Sequence, residues 1–392
     1  MKNKFKNLIK CNLMTDCSKS KIKKRNLGID LARIISMIFI INHHIMYHGG
    51  PLFGTKVESF EKKILLFLNT IFCSGVNIFG MISGFVGFHN HRYSNLIYLL
   101  FQTSLYNYII AYIIKIKKPN IAEDLERFKY PLFISNYWYF NAYFTMYFFL
   151  PMINSGIKHF EKKEFGIFNL SIFLLFSCFN QIKHYSVRFE KDLFHFANGF
   201  TYMWLIILYF YGSYFGKFNN YNHNYNYVII FLICCIILFF AAFIRNVLII
   251  NKIRNNNIDI SMIVEYTSPS SVIISICFII LFSKLIIKTK LFEKIISFFA
   301  PLTYGVYLIH NHILVLRYVI KDNYSWLLKY SFLKLLLLEI LESLKIFVVS
   351  SFIDYLRFIL FKLLRIKQLC VYFSNLIYII SNAVLFIFEL FY

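Results

Sequence analysis

The chain has 392 residues, 58% of them hydrophobic and only 16% charged, against about 45–50% and about 25% in a soluble protein. A net charge of +23 first suggests nucleic acid as a partner. The lysines, however, sit in short connectors between apolar runs, where they set orientation and meet anionic headgroups, so no nucleic acid is expected.

Apolar runs of about twenty residues recur from end to end, too long and too weakly alternating for a transmembrane barrel. The expected fold class is all-α: a polytopic transmembrane helix bundle of about ten spans in the lipid bilayer, with an apolar extra helix at the C-terminus. Three parts follow: a basic leader over 1–27, a transmembrane region over 28–367 and the C-terminal helix over 368–392. The leader carries nine Lys/Arg against one acid, Asp16. No small-residue cleavage site follows the first apolar run, so it is not a secretory signal, and the N-terminus is expected in the cytoplasm. None of the eight cysteines forms a C-x-x-C pair. They read as free, small apolar residues with no zinc site.

Span 1 runs Gly28–His48 and ends at Gly49-Gly50-Pro51. Span 2, about Ile64–Phe88, carries the small-xxx-small pair Gly80/Gly84, which lets a neighbouring helix approach closely. His89, His91 and Arg92 follow in a short turn. Span 3 is about Asn95–Ile116. Asn136-Tyr137-Trp138-Tyr139 reads as an interfacial aromatic belt opening span 4, which ends near Pro151–Ile157. Span 5 is Phe165–Phe179 and span 6 about Gly199–Phe215. An Asn/Tyr-rich linker leads to span 7, Tyr227–Ile250, then span 8, Met262–Ile287, and span 9, Ile295–Ile320. A loop of about twenty residues precedes span 10, Leu344–Leu364. Ten spans put both ends on one side. Lys and Arg totals on the two sides barely differ, so the orientation rests on the leader and on the lysine-rich turns 158–163 and 284–294. Val371–Leu390 is apolar enough for an eleventh span. Asn375, Ser381, Asn382 and Glu389 interrupt it, which favours an interfacial or bundle-packed helix.

Candidate chemistry lies with the ionisable residues inside spans, which are expensive in hydrocarbon. No G-x-S-x-G elbow, Walker A loop, G-x-G-x-x-G or H-E-x-x-H is present, and no metal site is expected. In span 1, Arg33 and His44 are eleven residues apart, close to three helical turns, so they share a side about 16 Å apart along the axis. Asp30 lies one turn before Arg33 and can pair with it; Tyr47 lies one turn beyond His44. The imidazole of His44 can take a proton from a hydroxyl and pass it on, or it can bond a neighbouring helix structurally. His43 points elsewhere and reads as structural. Arg33 suits a phosphate or a polarised carbonyl, a role compatible with its pairing to Asp30. His310 in span 9 and the Asp354/Arg357 pair in span 10 are weaker candidates, the pair being placed to neutralise itself. Arg92 can hold phosphate or simply set orientation.

Ile29-Asp30-Leu31-Ala32-Arg33, followed by His44, resembles the first-helix signature of acyltransferase family 3, the integral-membrane O-acyltransferases. Val76-Asn77-Ile78-Phe79-Gly80-Met81-Ile82-Ser83-Gly84-Phe85 is similar to the family's second span, Trp138-Tyr139 with Tyr143 and Pro151 to its fourth, and Trp204 through Gly212 to its sixth. Tyr304-Gly305-Val306-Tyr307-Leu308-Ile309-His310 resembles the ninth, and Ile353-Asp354-Tyr355-Leu356-Arg357 the tenth. The resemblance covers roughly residues 26–367. It departs in the turn after span 2, where the family often has two arginines three apart and this chain has His89 and Arg92.

The resemblance implies an O-acetyltransferase that moves an acetyl or other acyl group from cytoplasmic acyl-CoA to a sugar hydroxyl of a cell-surface or exported glycan, such as an exopolysaccharide or capsule. His44 and Arg33 become the catalytic pair, with Arg33, Arg92 and Ser83 toward the donor. Asp30, Tyr47, Trp138, Tyr307 and His310 are expected to bind substrate or support the pair. Acetyl-CoA serves as donor substrate and no cofactor is tightly bound. The expected location is the plasma membrane, crossed many times. The alternative is a transporter or flippase for a glycan or lipid-linked sugar, which also needs in-membrane charges and a polar cavity. Neither an internal repeat nor an interrupted midplane helix is visible in the sequence to favour it. A sugar-sensing receptor would need the polar face of span 1 without a CoA entrance.

Overall fold

The computed structural model describes residues 25–55, 59–89, 91–117, 137–184, 193–218, 227–254 and 265–391. Among these every regular element is helical. The leader up to residue 24, residues 118–136 after span 3 (Asn136 of the aromatic belt among them) and the Asn/Tyr linker lie outside the described residues.

α1 (Leu27–His48) is the hub. Asn26 caps it by accepting the Ile29 N–H and donates to the Ser283 carbonyl at 2.9 Å, pinning the start of α1 to the end of another helix. The chain leaves α1 through Gly50, at φ 108°, a left-handed conformation that glycine adopts without strain. The last carbonyls of α1 are satisfied across the fold: His48 O accepts from Asp322 N–H and Gly49 O from Tyr324 N–H, both at 3.0 Å.

Expected span 2 is two helices, α2 (Phe60–Cys73) and α3 (Gly75–Gly87). At Ser74 the ladder tightens: both its N–H and its hydroxyl donate to the Ile71 carbonyl, at 3.1 and 2.5 Å. α4 (Tyr93–Lys117) and α5 (Trp138–His159) follow, close to spans 3 and 4. α6 (Lys162–Phe173) is shorter than span 5; a π turn over Leu174–Cys178 and a 3-10 turn over Phe179–His184 continue it. α7 (Tyr202–Phe218) packs on α3 more closely than any other pair, and glycines are the reason. A Cβ on Gly84 would collide with the Tyr209 carbonyl, and one on Gly212 with the Met81 carbonyl. The close approach expected of the Gly80/Gly84 pair is thus present, with α7 as the neighbour.

α8 (Tyr227–Arg254) matches span 7. α9 (Pro269–Ser283) is shorter than span 8, because Ser268 caps it and Pro269 occupies its first turn. Span 9 is not continuous. α10 (Lys290–Phe299) gives way to a 3-10 turn around Pro301, α11 (Thr303–His310) follows, and the helix stops at Asn311. His312 then caps the next turn by accepting from Leu314 N–H at 3.2 Å. An interrupted helix is therefore present, contrary to the sequence expectation. α12 (Phe332–Leu363) starts at Phe332 rather than Leu344, which removes most of the expected loop. α13 (Ile366–Phe391) leans one side on α4, with Phe373 and Phe101 ring centres 6.5 Å apart and Cys370 buried. Tyr372 beside them, and Ile377 and Ile380 further along the helix, are exposed.

α1 touches α2, α3, α9, α10, α11 and α12. Among the described residues five stretches are long and apolar enough to cross a bilayer: Leu27–His48, Phe60–Gly87, Tyr93–Lys117, Ile229–Ile250 and Lys290–His310. That is half the ten read from the sequence. The described cysteines are free.

Candidate functional site

One ridge of α1 carries Arg33, Met37, Ile40 and His44, spaced by four, three and four residues, the interval that stacks side chains along a helix face. The last three of these line a narrow, partly open cavity of about 20 Å³. Val76 and Phe79 of α3, Trp138 and Tyr139 of α5, and Tyr304 and Tyr307 of α11 complete the wall, with Tyr266 ahead of α9 and Asn311 at the break after α11. The lining is mainly aromatic, with few polar groups, the composition of a small-molecule site.

His44 is 9% exposed and its Nδ1 has no hydrogen-bond partner. Its ring centre lies 5.3 Å from that of His310 and 5.6 Å from that of His48. His310, fully buried, donates from Nδ1 to the Val306 carbonyl at 2.6 Å, and its Nε2 has no partner. His43 is engaged elsewhere: its Nδ1 meets Asn69 Oδ1 of α2 at 2.8 Å, as its structural reading requires.

Arg33 pairs with Asp30 at 3.3 Å, and Asp30 also bonds Arg25. Tyr139 and Tyr143 of α5 come close enough to interact electrostatically with Arg33. Tyr139 is a cavity residue, so Arg33 stands at the cavity's edge rather than in its wall. Tyr139, Tyr143 and Tyr147 form a ladder up one face of α5, with successive ring centres 6.5 and 5.9 Å apart. The Tyr147 hydroxyl donates to the Arg92 carbonyl at 2.7 Å and accepts from the Arg92 N–H at 3.2 Å, while the Tyr147 ring lies 4.4 Å from that of His91. The ladder thus connects the cavity with the turn that bears Arg92, whose side chain is exposed. Ser83, which donates to the Phe79 carbonyl at 3.2 Å, sits beside the Tyr139 hydroxyl.

Two sequence expectations change. Tyr47 does not face the cavity: it stacks on His43 at 5.6 Å and packs edge-on against Phe53. A helix turns about 100° per residue, so residue 47 lies nearer to 43 than to 44 in angle. The belt at Tyr137-Trp138-Tyr139 points inward, with Tyr137 and Tyr139 buried and Trp138 stacked on Tyr266 at 5.7 Å.

Asp354 and Arg357 lie apart from the cavity lining and satisfy each other. Arg357 Nε and Nη2 reach the two Asp354 oxygens at 2.9 and 2.6 Å, Tyr106 and Gln102 also donate to Asp354, and Arg357 Nη1 donates to Tyr98.

Several cavity residues were not singled out from the sequence. Tyr266 is held by its neighbours: Trp204 Nε1 donates to Asn77 Oδ1 at 3.1 Å, and Asn77 Nδ2 to the Tyr266 carbonyl at 2.8 Å. The adjacent Glu265 is buried 4.0 Å from Arg245 of α8. The available signals were an Asn in an apolar span and an acid beside the aromatic. Among the described residues no group of three His, Cys, Asp or Glu could hold a metal ion.

The model of the acyltransferase domain family matches residues 26–353, which takes in every residue of the cavity wall. Neither the curated proteins nor the solved structures give a match. A match over most of the chain, on helices apolar enough to span a bilayer, makes this a membrane acyltransferase, and the chain belongs to acyltransferase family 3.

Proposed function

We propose that the protein is a membrane O-acetyltransferase that moves an acetyl group from cytoplasmic acetyl-CoA to a sugar hydroxyl of a cell-surface or exported glycan. The observation that carries this reading is His44: a buried imidazole in the wall of an aromatic cavity, on the same helix ridge as Arg33. His44 takes the proton of the sugar hydroxyl as its oxygen attacks the thioester carbonyl. A C–O bond forms, the C–S bond breaks, and the departing CoA thiolate recovers the proton from His44. The products are the acetyl ester and CoA.

Arg33, on the ridge of α1 that continues from the cavity wall, supplies a fixed positive charge and orients the donor. Ser83 and the tyrosine ladder of α5 mark the route by which the pantetheine arm arrives, and Arg92, exposed at the far end of that ladder, meets CoA phosphates. Trp138 and Tyr307 offer aromatic faces to the sugar ring, and His310 and Asp30 support His44 and Arg33. The small space beside His44 suits a two-carbon acyl group better than a long chain. In this reading the chain crosses the plasma membrane ten times with both ends in the cytoplasm, the basic leader on the inner side.

Mass spectrometry of surface polysaccharide from cells lacking the protein, re-supplied with the wild type or with His44→Ala, tests this reading. The wild type is expected to restore O-acetyl groups and His44→Ala to leave them absent. O-acetylation at the wild-type level with His44→Ala contradicts it. The interrupted helix at Asn311–His312 is a feature that secondary transporters also use. Glycan export that depends on the protein while O-acetylation does not would favour that second reading.

A further inference from the structure

His44 and His310 have more in common than proximity. Each is buried, and each has one ring nitrogen without a hydrogen-bond partner: Nδ1 of His44 and Nε2 of His310. Their needs are complementary. A carbonyl can only accept, so the 2.6 Å contact with Val306 O fixes the proton of neutral His310 on Nδ1 and leaves Nε2 as a lone pair. The Nδ1 of His44 is shielded from the cavity, so the nitrogen that can act on a substrate hydroxyl is Nε2. Nε2 is a base only when the proton of neutral His44 sits on Nδ1. The two nitrogens are not bonded to each other as the rings stand, but two imidazoles joined by an N–H···N hydrogen bond of about 3 Å have ring centres about 5 Å apart, so at the 5.3 Å found here a turn of one ring joins them. The other histidines nearby are less suited. His43 is committed to Asn69, and His48 is only partly buried, one turn further along α1.

We propose that His310 is a positioning residue for His44. Its Nε2 accepts the Nδ1 proton of His44, holds that ring in the tautomer whose Nε2 is basic, and steadies the imidazolium formed during transfer. This follows the logic by which a catalytic base is oriented by a third group. The proposal rests on the reading of His44 as the general base. During the step the hydroxyl proton passes to His44 Nε2, the Nδ1 proton stays between the two rings, and the Nε2 proton leaves on the CoA sulfur. His310 changes neither its own proton count nor its bond to Val306.

Full-length protein in nanodiscs, with isotope-labelled acetyl-CoA as donor and surface polysaccharide from cells lacking the protein as acceptor, provides the kinetic test. His310→Leu removes the acceptor atom; His310→Gln supplies a side-chain oxygen in its place. His310→Leu is expected to lower kcat by about 10- to 100-fold, a part of what general-base catalysis contributes, with KM for acetyl-CoA within about twofold. His310→Gln is expected to recover most of the loss. Nitrogen-15 NMR of histidine-labelled protein reads the tautomer directly. The wild type is expected to show His44 protonated on Nδ1, and His310→Leu to lose that preference. Wild-type kcat in His310→Leu overturns the proposal, and so does a wild-type His44 protonated on Nε2 alone. Where rate and tautomer disagree, the tautomer decides. A wild type that transfers no label from acetyl-CoA counts against the enzymatic reading instead, and the tautomer measurement still decides the role of His310.

Discussion

Two of the polar clusters inside this bundle are built in opposite ways. Around Asp354 and Arg357 each charged group meets its complement: two oxygens receive the guanidinium, Tyr106 and Gln102 share one of them, and Tyr98 takes the remaining arm. Around His44 the polar atoms are left open, with an unpartnered imidazole nitrogen on each of two facing rings and a cavity beside them. Burying a polar group without a partner costs free energy, and an intramembrane cluster that tolerates this cost is a candidate for chemistry, whereas a closed one is a candidate for architecture. The sequence places ionisable residues in both helices alike; only the pairing tells them apart.

The largest expected effect falls on the open cluster. His44→Ala should lower acyl transfer by about 10²- to 10⁴-fold, while the thermal unfolding of the detergent-solubilised protein changes by no more than about 1 kcal/mol. If His44→Ala unfolds the protein, the contrast between the clusters breaks. Asp354→Asn should do the reverse. It leaves Arg357 buried and uncompensated, a loss of about 3–5 kcal/mol read as a lowered unfolding temperature. Transfer per folded molecule should stay within a few-fold of wild type. A smaller effect belongs to the glycine seam between α3 and α7. Gly84→Ala forces a methyl group against the Tyr209 carbonyl and should destabilise by about 1–3 kcal/mol, sharpening the claim that close backbone approach is what that helix pair is built on.

Hydropathy made the helical class legible, because each apolar run must hydrogen-bond within itself in lipid. It did not show the breaks. Ser74 interrupts span 2 with no proline to announce it, while Pro301 was an available signal inside span 9. The ridge of α1 was legible because residues 33 and 44 differ by nearly whole turns, and Asp30 joined Arg33 because the guanidinium arm spans the offset. Tyr47 was misplaced by the same counting: three residues leave it about 60° from His44, four residues only about 40° from His43, and its ring chose His43. Tyr266 and Asn311 reach the cavity from far along the chain. Their place depends on packing, including the Trp204–Asn77 bridge, that no local pattern encodes.

The most direct test is a cryo-electron microscopy structure of the protein in nanodiscs with a non-hydrolysable thioether analogue of acetyl-CoA. The account predicts the acyl carbon within about 4 Å of the His44 ring, the pantetheine arm along Tyr139, Tyr143 and Tyr147, and the phosphates toward Arg92. An analogue seated on another face of the bundle, with the cavity beside His44 left empty at saturating ligand, would contradict it.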